Sequence, residues 1–462
     1  MANTIESLDW DIDSILELLS DIRGEFAFIL FNKCKNEIIF GRDRLGRRSL
    51  LISASNDSFC LVSVGANGNL IELPADGIYH MNLNSHWSKI IRYNYPAVTD
   101  VENHYNNELI FVNNLHESEI SPLDVEKVLS NASEFIIAVD TIPYSKPIPD
   151  HWDFTQNVSK VENEIENQNE EIALVDNLLN AAVSRRIKYR KGKIGILFSG
   201  GLDCSLVTYY AAMNVTISDV PEVIYLFSVA FGKEEKDFAA CPDRKTAESS
   251  YLELCDLFQA NGNVKLELVR INIYKKELED QRRNRIRHLI NPRVSVLDDS
   301  IGSALWFASS HPVKENLEKC TVLLSGLGAD ELFCGYSQHR RIHDREGIDA
   351  LGTDVQNMIE RIAERNCGRD DRVISDSGRE YRMPFLDLDF ISAVSKIPIS
   401  KRCNLKLDRG VGEKSLLREL AKSKGLVSIS GLEKRAIQFG SRIAKMANGK
   451  QKGDFISRDL VS

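Results

Sequence analysis

Over its first third the chain alternates short apolar runs with polar turns. The runs at residues 25–31, 37–40, 49–52 and 59–64 read as strands of an antiparallel sheet. Past residue 171 the rhythm changes. Ile172, Val175, Leu178, Leu179, Ala182, Val183 and Ile187 fall at helical spacing, and buried runs at 194–198, 222–231, 264–271 and 321–324 read as strands. Helical patterns separate them, residues 245–258 being the clearest, and the pattern from 348 onward is again helical. Strands alternating with helices predict a parallel, doubly wound sheet whose ligands sit at the strand carboxyl ends. Residues 71–150 alternate only weakly, and Pro143, Pro147 and Pro149 mark an extended stretch near their end. Residues 158–171, rich in Glu, Asn and Gln, read as a solvated linker. The expected division is therefore residues 1–157, a linker at 158–171, and residues 172–462.

A length of 462 residues exceeds one ordinary core and supports two domains. With 43% hydrophobic and 27% charged residues the composition is that of a soluble globular protein. A net charge of −9 argues against a broad nucleic-acid or anionic-membrane surface, since phosphate binding needs a concentrated positive field. The nine cysteines form no Cys-x-x-Cys pair, which suits reduced thiols rather than a disulfide framework or a zinc site. No apolar run reaches membrane-spanning length and the first residues lack a signal core, so a cytoplasmic location is expected.

The run at 194–198 passes straight into Ser199-Gly200-Gly201 and then into an apolar-periodic segment with Leu206, Val207 and Tyr210. That is strand, glycine turn, helix. Two glycines let the backbone approach an anion, Ser199 adds a hydroxyl donor, and a helix amino terminus offers unpaired N–H groups to phosphate. Asp203 follows in the first helical turn, and a carboxylate beside a polyphosphate is repelled unless a cation such as Mg²⁺ lies between them. No lysine follows the glycines, so this is not the loop ending in Gly-Lys-Ser/Thr. As a bare pattern it is also compatible with an ordinary tight turn. The run at 321–324 ends in a second glycine turn, Ser325-Gly326, with Asp330 beyond it to meet the same Mg²⁺ opposite Asp203.

Ser199-Gly200-Gly201-Leu202-Asp203 resembles the pyrophosphate loop of ATP pyrophosphatases that form AMP and pyrophosphate. With the stretch from Ser325 through Gly328-Ala329-Asp330-Glu331 to Gly335-Tyr336-Ser337-Gln338-His339-Arg340, the chain is identified as similar to the asparagine synthetase family, and within it to the asparagine synthetase domain-containing proteins. The similarity runs from about Asp21 to about Lys445. It implies ATP and Mg²⁺ as cofactors. It also implies nucleotide contacts at Leu197, Ser199, Gly200, Gly201, Asp203, Cys204, Val229, Ser325 and Gly326, and metal ligands at Asp203 and Asp330. Leu197 and Val229 read equally as plain core β-residues. Gly24-Glu25-Phe26-Ala27-Phe28 and the segment from Arg42-Asp43 through Gly46 to Leu50 resemble the later part of a class II glutamine amidotransferase domain. That family's amino-terminal cysteine nucleophile has no counterpart ahead of Asp21, and Cys34 does not match the role, so no glutaminase activity is expected. The implied fold is α/β: a doubly wound parallel-sheet ATP pyrophosphatase-type synthetase domain preceded by a truncated α+β class II glutamine amidotransferase-like domain.

Three positions depart from the family. Where asparagine synthetases carry a glutamate between the glycines of the second loop, and β-lactam-forming relatives a tyrosine, this chain has Leu327, which handles no proton. The lysine that stabilises charge on the transferring phosphate aligns with Ala436, and Lys434 and Arg435 are the nearby cations. Cys204 replaces the usual serine. The stretch from Glu380 through Arg382 to Asp387 is similar to the family's Glu-x-Arg-x-Pro-Phe-Leu-Asp, with Glu380 and Arg382 read as an ion pair in the site wall. Lys414-Ser415-Leu416-Leu417-Arg418 matches a Lys-x-x-Leu-Arg helix. Asp298 and Asp299 read as site lining or as helix caps, and the cluster Arg282, Arg283, Arg285, Arg287 as a solvated face. Glu380, Lys434 and Arg435 are the candidate catalytic side chains. The leading expectation is an asparagine synthetase-like ATP-dependent amidotransferase that adenylates a small carboxylate substrate, aspartate-like, for attack by ammonia in asparagine biosynthesis. A catalytically degenerate ATP-binding or regulatory protein is the alternative. An RNA-thiolating relative shares the first loop, but the acidic charge counts against it, so neither nucleic acid nor membrane is an expected partner.

Overall fold

The computed structural model describes residues 10–20, 22–54, 58–65, 70–85, 89–94, 108–113, 133–143, 152–155, 168–215, 222–259, 263–314 and 320–446. Helix α1 (Ile12–Ser20) buries Ile15, Leu16 and Leu19 against Ile39 and Ile78. The strands that follow are β1 (Ala27–Asn32), β2 (Glu37–Arg42), β3 (Leu51–Ala54), β4 (Phe59–Val62), β5 (Ile71–Glu72), β6 (Gly77–Asn82), β7 (Lys89–Asn94), β8 (Glu108–Asn113) and β9 (Ser133–Pro143). They form two sheets rather than the single one expected, in the orders β1-β2-β6-β7-β9-β8 and β4-β3-β5, and β7 pairs with β9 in parallel. The turn after β2 is the reason. Asp43 accepts hydrogen bonds from the backbone N–H groups of Phe26, Leu45 and Arg47 and from the Arg47 guanidinium, so the chain leaves the first layer and starts the second. Phe40 and Tyr79 from the first sheet then share a core with Ile52 from the second. Pro147 and Pro149 lie outside the described residues.

Helix α2 (Gln168–Ile187) begins inside the stretch read as linker; the rest of that stretch, 158–167, lies outside the described residues. Trp152 and Phe154 are already buried in the second core. The Phe154 N–H donates to Gln356 Oε1 at 3.1 Å and the Arg402 guanidinium stacks over its ring at 5.2 Å. The sheet of the second domain runs β12-β11-β10-β13-β14, all parallel, from β10 (Lys193–Leu197), β11 (Glu222–Gly232), β12 (Val264–Tyr274), β13 (Cys320–Leu324) and β14 (Glu380–Arg382). Its helices include α3 (Leu202–Val215), α4 (Pro242–Phe258), α5 (Val296–Lys314), α6 (Ala329–Leu332), α7 (Ser337–Glu346), α8 (Gly368–Ser375) and α9 (Ser415–Ser423). The chain builds outward from β10 through β11 to β12, then crosses to β13 on the other side. The crevice at the carboxyl ends of β10 and β13 is therefore the switch point where such sheets bind ligands.

Arginines lock the two domains. Arg47 donates to the Leu386 carbonyl at 2.9 Å, Arg372 reaches Glu72 at 2.9 Å, and Arg48 meets Asp371 at 2.9 Å and both Glu25 and Glu380 at 3.0 Å. Such pairs add little net stability over an apolar seam, but leaving one partner alone is costly, which makes the docking geometry specific. Among the described residues no helix is long and apolar enough to cross a membrane.

Candidate active site

The Phe198 N–H donates to the Phe227 carbonyl at 2.9 Å, carrying the β10–β11 pairing one residue past the strand, and the chain then turns at Gly200 with φ +77°. A Cβ there would lie 2.5 Å from the Ala247 backbone, so glycine alone lets the loop rest on α4. The Gly200 carbonyl accepts the hydroxyls of Ser205 at 3.3 Å and Ser250 at 2.7 Å, which ties the loop to both α3 and α4. Gly200 is thus the back of the loop. Ser199, Gly201, Asp203 and Cys204 face a cavity of ≈ 630 Å³, as do Leu197 and Val229 on β10 and β11. The unpaired N–H groups at the start of the 14-residue α3 open onto this space and suit an anion. Burial pushes the Cys204 thiol up to about 11, so it stays a neutral thiol, donating to the Gly201 carbonyl.

The second loop abuts the first. A Cβ on Gly326 would come within 2.6 Å of Asp203 Cβ, so the missing side chain is what lets β13 deliver Ser325 and Gly326 to the same cavity. Asp330 on α6 then lies beside Asp203, with Lys414 between them. The Lys414 ammonium is 2.6 Å from Asp203 Oδ2 and 2.7 Å from Asp330 Oδ1, its side chain is only 3% exposed, and its backbone is left-handed at φ +56°. Lys434 bonds to the other oxygen of Asp330. Burial alone would raise both carboxyls. At Asp330 the two lysines outweigh it and hold the group well below the usual range, while Asp203, with Asp330 as a like-charged neighbour, is left raised. Among the described residues, Asp203 Oδ1 is buried without a hydrogen-bond donor, and Asp330 Oδ1 has only the Lys414 ammonium.

Of the residues expected to touch nucleotide or metal, all but Gly200 line this one cavity. Lys434 and Arg435 line it too; Arg435 lies beside Thr246, at 3.4 Å. Glu380 is not among the cavity's lining residues. It is half exposed on the domain seam, held by Arg382 at 2.7 Å and by Arg48, so the expected ion pair forms but the structure does not bring Glu380 together with the other candidate side chains. Leu327 and Ala436 sit in the cavity wall. Asp298 lines it and is capped by Ser295 while pairing with Arg369, whereas Asp299 pairs with Arg282. Arg283 and Arg285 pair with Asp280 and Asp376, as a solvated face does. Sequence reasoning passed over Lys414, Glu331, Tyr336 and Asp243, all of which line the cavity. The first three stand inside quoted motifs, next to Asp330 or at a helix start, which was the available signal; Asp243 carried none.

Comparison with known proteins agrees with this geometry. The asparagine synthase family model matches residues 174–350 and 343–445, and a glutamine amidotransferase domain model matches residues 4–65. The chain belongs to the asparagine synthetase family. It is 33% identical to asparagine synthetase domain-containing protein 1 of Gallus gallus, over 95% of this chain and 81% of that protein, and 34% identical to the Homo sapiens protein of that name, over 95% and 80%. Identity to the glutamine-hydrolysing asparagine synthetase of Homo sapiens is 23%, over 95% of this chain and 67% of that one.

Proposed function

We propose that this protein is an ATP-dependent ligase of the asparagine synthetase type, which adenylates a small aspartate-like carboxylate with release of pyrophosphate and passes the acyl group to ammonia. The observation that carries the reading is the convergence, at the sheet's switch point, of the Ser199–Gly201 loop, two carboxylates and two lysines on one cavity. The donor set fits Mg²⁺. Among the described residues no group of three or more His, Cys, Asp or Glu side chains gathers, so Asp203 and Asp330 would hold the ion with phosphate and water completing its shell. Bound there, Mg²⁺ neutralises charge on the phosphates that leave. The chain's own part is positional and electrostatic. The N–H groups of α3 and the Ser199 hydroxyl receive phosphate oxygens, and Lys414 and Lys434 stabilise charge as pyrophosphate departs, Lys434 serving where Ala436 has no charge. Arg293 and Arg365 line the same cavity and suit a carboxylate-bearing substrate. All nine cysteines are free thiols, which accords with a cytoplasmic setting.

Leu327 favours a second reading, an ATP-binding protein that has lost amide formation. Its N–H donates to Ser325 Oγ at 3.3 Å, and its side chain moves no proton. Exchange of labelled pyrophosphate into ATP, measured together with amide yield from ammonia for aspartate and a panel of other acids, decides between the two. The ligase reading expects exchange and amide with one of them. MgATP binding, with or without exchange, but no amide from any acid would leave the second.

A further inference from the structure

The segment Gly335–Arg340 lies beside the cavity, yet nothing so far uses it. We infer that it is a positioning element for the two site lysines, with Tyr336 as the clamp that holds Lys434 on Asp330. The inference rests on the ligase reading only for what Lys434 is aimed at; the clamp itself is a matter of geometry.

Gly335 comes first. A Cβ there would meet Asp330 Oδ1 at 2.0 Å and Lys414 Cε at 2.3 Å, so any side chain would drive Lys414 out from between the carboxylates. The ring of Tyr336 then lies under Lys434, whose ammonium is 4.4 Å from the ring centroid while it bonds to Asp330. A cation over an aromatic face is held by the ring quadrupole, more strongly where water is excluded. Tyr336 is itself fixed at both ends. Its hydroxyl donates to Glu331 Oε1 at 2.6 Å, and its backbone N–H donates to His339 Nδ1 at 3.1 Å. His339 is fully buried, and burial lowers it to about 4, so the ring is neutral and free to accept at Nδ1. Arg340 completes the element on the other side. It donates to the carbonyls of Leu405 and Leu407 and meets Glu413 at 3.4 Å, anchoring the turn that leads to the left-handed Lys414. One short stretch thus sets both cations.

The test is a ligand-independent measurement joined to a thermodynamic cycle. Acetylation by N-hydroxysuccinimidyl acetate, mapped by mass spectrometry, reports how tightly Lys434 is held, with the 80%-exposed Lys236 as reference. In Tyr336→Leu the relative labelling of Lys434 should rise several-fold, while Tyr336→Phe, which keeps the ring face, stays within about twofold of the parent. Unchanged labelling in Tyr336→Leu overturns the clamp. So does an equal rise at buried Lys414, which would mean general loosening. For the cycle, affinity for Mg²⁺-pyrophosphate is measured by calorimetry. Tyr336→Leu should cost about tenfold in the parent chain and nothing further in Lys434→Met, because its effect passes through Lys434. Equal costs in both backgrounds would make Tyr336 a structural residue and refute the inference. If the parent chain binds neither MgATP nor pyrophosphate, the ligase reading falls, and the labelling alone still decides the clamp.

Discussion

Lys414→Met is the most informative single change, because the side chain keeps its length and loses only its charge. The ammonium lies 2.6 Å from Asp203 and 2.7 Å from Asp330, and the two carboxyl side chains are 21% and 17% exposed. Removing one member of a buried ion pair typically costs ~3–5 kcal/mol, because the charge left behind is neither paired nor solvated. Here Lys434 still serves Asp330 and some water reaches both groups, so the cost lies at or just below the bottom of that range, ~2–3 kcal/mol. At ~2–4 °C per kcal/mol for a domain of a few hundred residues, Tm should fall by ~4–12 °C in the presence of a chelator. Magnesium should then restore part of the loss. A divalent ion bound only by the folded chain stabilises it through RT ln(1 + [L]/Kd), and two facing carboxylates without an ammonium between them bind it more tightly. Scanning calorimetry of both chains, in chelator and in millimolar Mg²⁺, gives the four values needed. A fall below about 2 °C, or the same Mg²⁺ response in both chains, would refute the claim that Lys414 stands in for cation charge at this site.

Three further outcomes are expected. Asp243 is raised to about 7 by burial, with Arg435 and Lys434 opposing; its contribution is therefore full below the unfolded value near 3.9 and lost as pH rises through about 7, so Asp243→Asn should flatten urea stability over that window and exceed the parent by ~1–3 kcal/mol at alkaline pH. A difference independent of pH would sink this. Gly200→Ala should lower nucleotide affinity at least tenfold and cost ~2 kcal/mol or more of stability, since φ is +77° and the new Cβ meets backbone at 2.5 Å; parent-like calorimetry would mean the loop has room it does not show. Arg48→Ala removes a cation shared by Asp371, Glu25 and Glu380 at the seam, where Glu25 keeps Arg186 and Glu380 keeps Arg382, and should lower the urea midpoint by the equivalent of ~1–2 kcal/mol, with faster proteolysis between the domains; an unchanged midpoint would show that the seam does not couple them.

The synthetase sheet was legible because β10, β11 and β13, buried on both faces, leave near-continuous apolar runs, while the edge strand β12 alternates. The runs at 194–198, 222–231, 264–271 and 321–324 correspond to β10 through β13 within a few residues. Its fifth strand was not. Glu380–Arg382 is three residues long, and charged side chains flank Tyr381, so it joins the sheet through backbone pairing with β13 and leaves no periodic signal. The two-layer amino-terminal unit escaped for a different reason: strand content shows in alternation, but the choice of sheet is made by the Asp43 carboxylate gathering three N–H groups, a polar event invisible to an apolar pattern. In the site, glycine turns and acids at strand ends were readable because their chemistry is local. Lys414 and Asp243 are brought in from a turn and a helix distant in sequence, whereas Tyr336 stood inside the Asp330 motif with nothing local to mark its ring as facing a lysine.

Lys434 shows how a charge survives when its alignment column is empty. Residues 432–436 have no regular structure, and Ala436 is extended at φ −73°, ψ 141°. This extended stretch runs along the cavity wall, where Lys434, Arg435 and Ala436 all line the cavity. A lysine at 434 therefore looks into the cavity that a lysine at 436 would enter, and its long flexible stem spans much of the offset. Both positions do line the cavity, and Lys434 reaches Asp330. The shift carries a condition: approaching from two residues upstream, the stem must be steered, and the ring of Tyr336 beneath the ammonium supplies that steering. Leu327 has no such substitute, because a proton-handling group acts over hydrogen-bond distance and cannot be replaced by a charge acting over a longer one. On the proposed ligase reading the departures at positions 436 and 327 are thus unequal. Lys434 makes good the first, and the second bears on amide formation alone, which is why pyrophosphate exchange and amide yield should be measured separately.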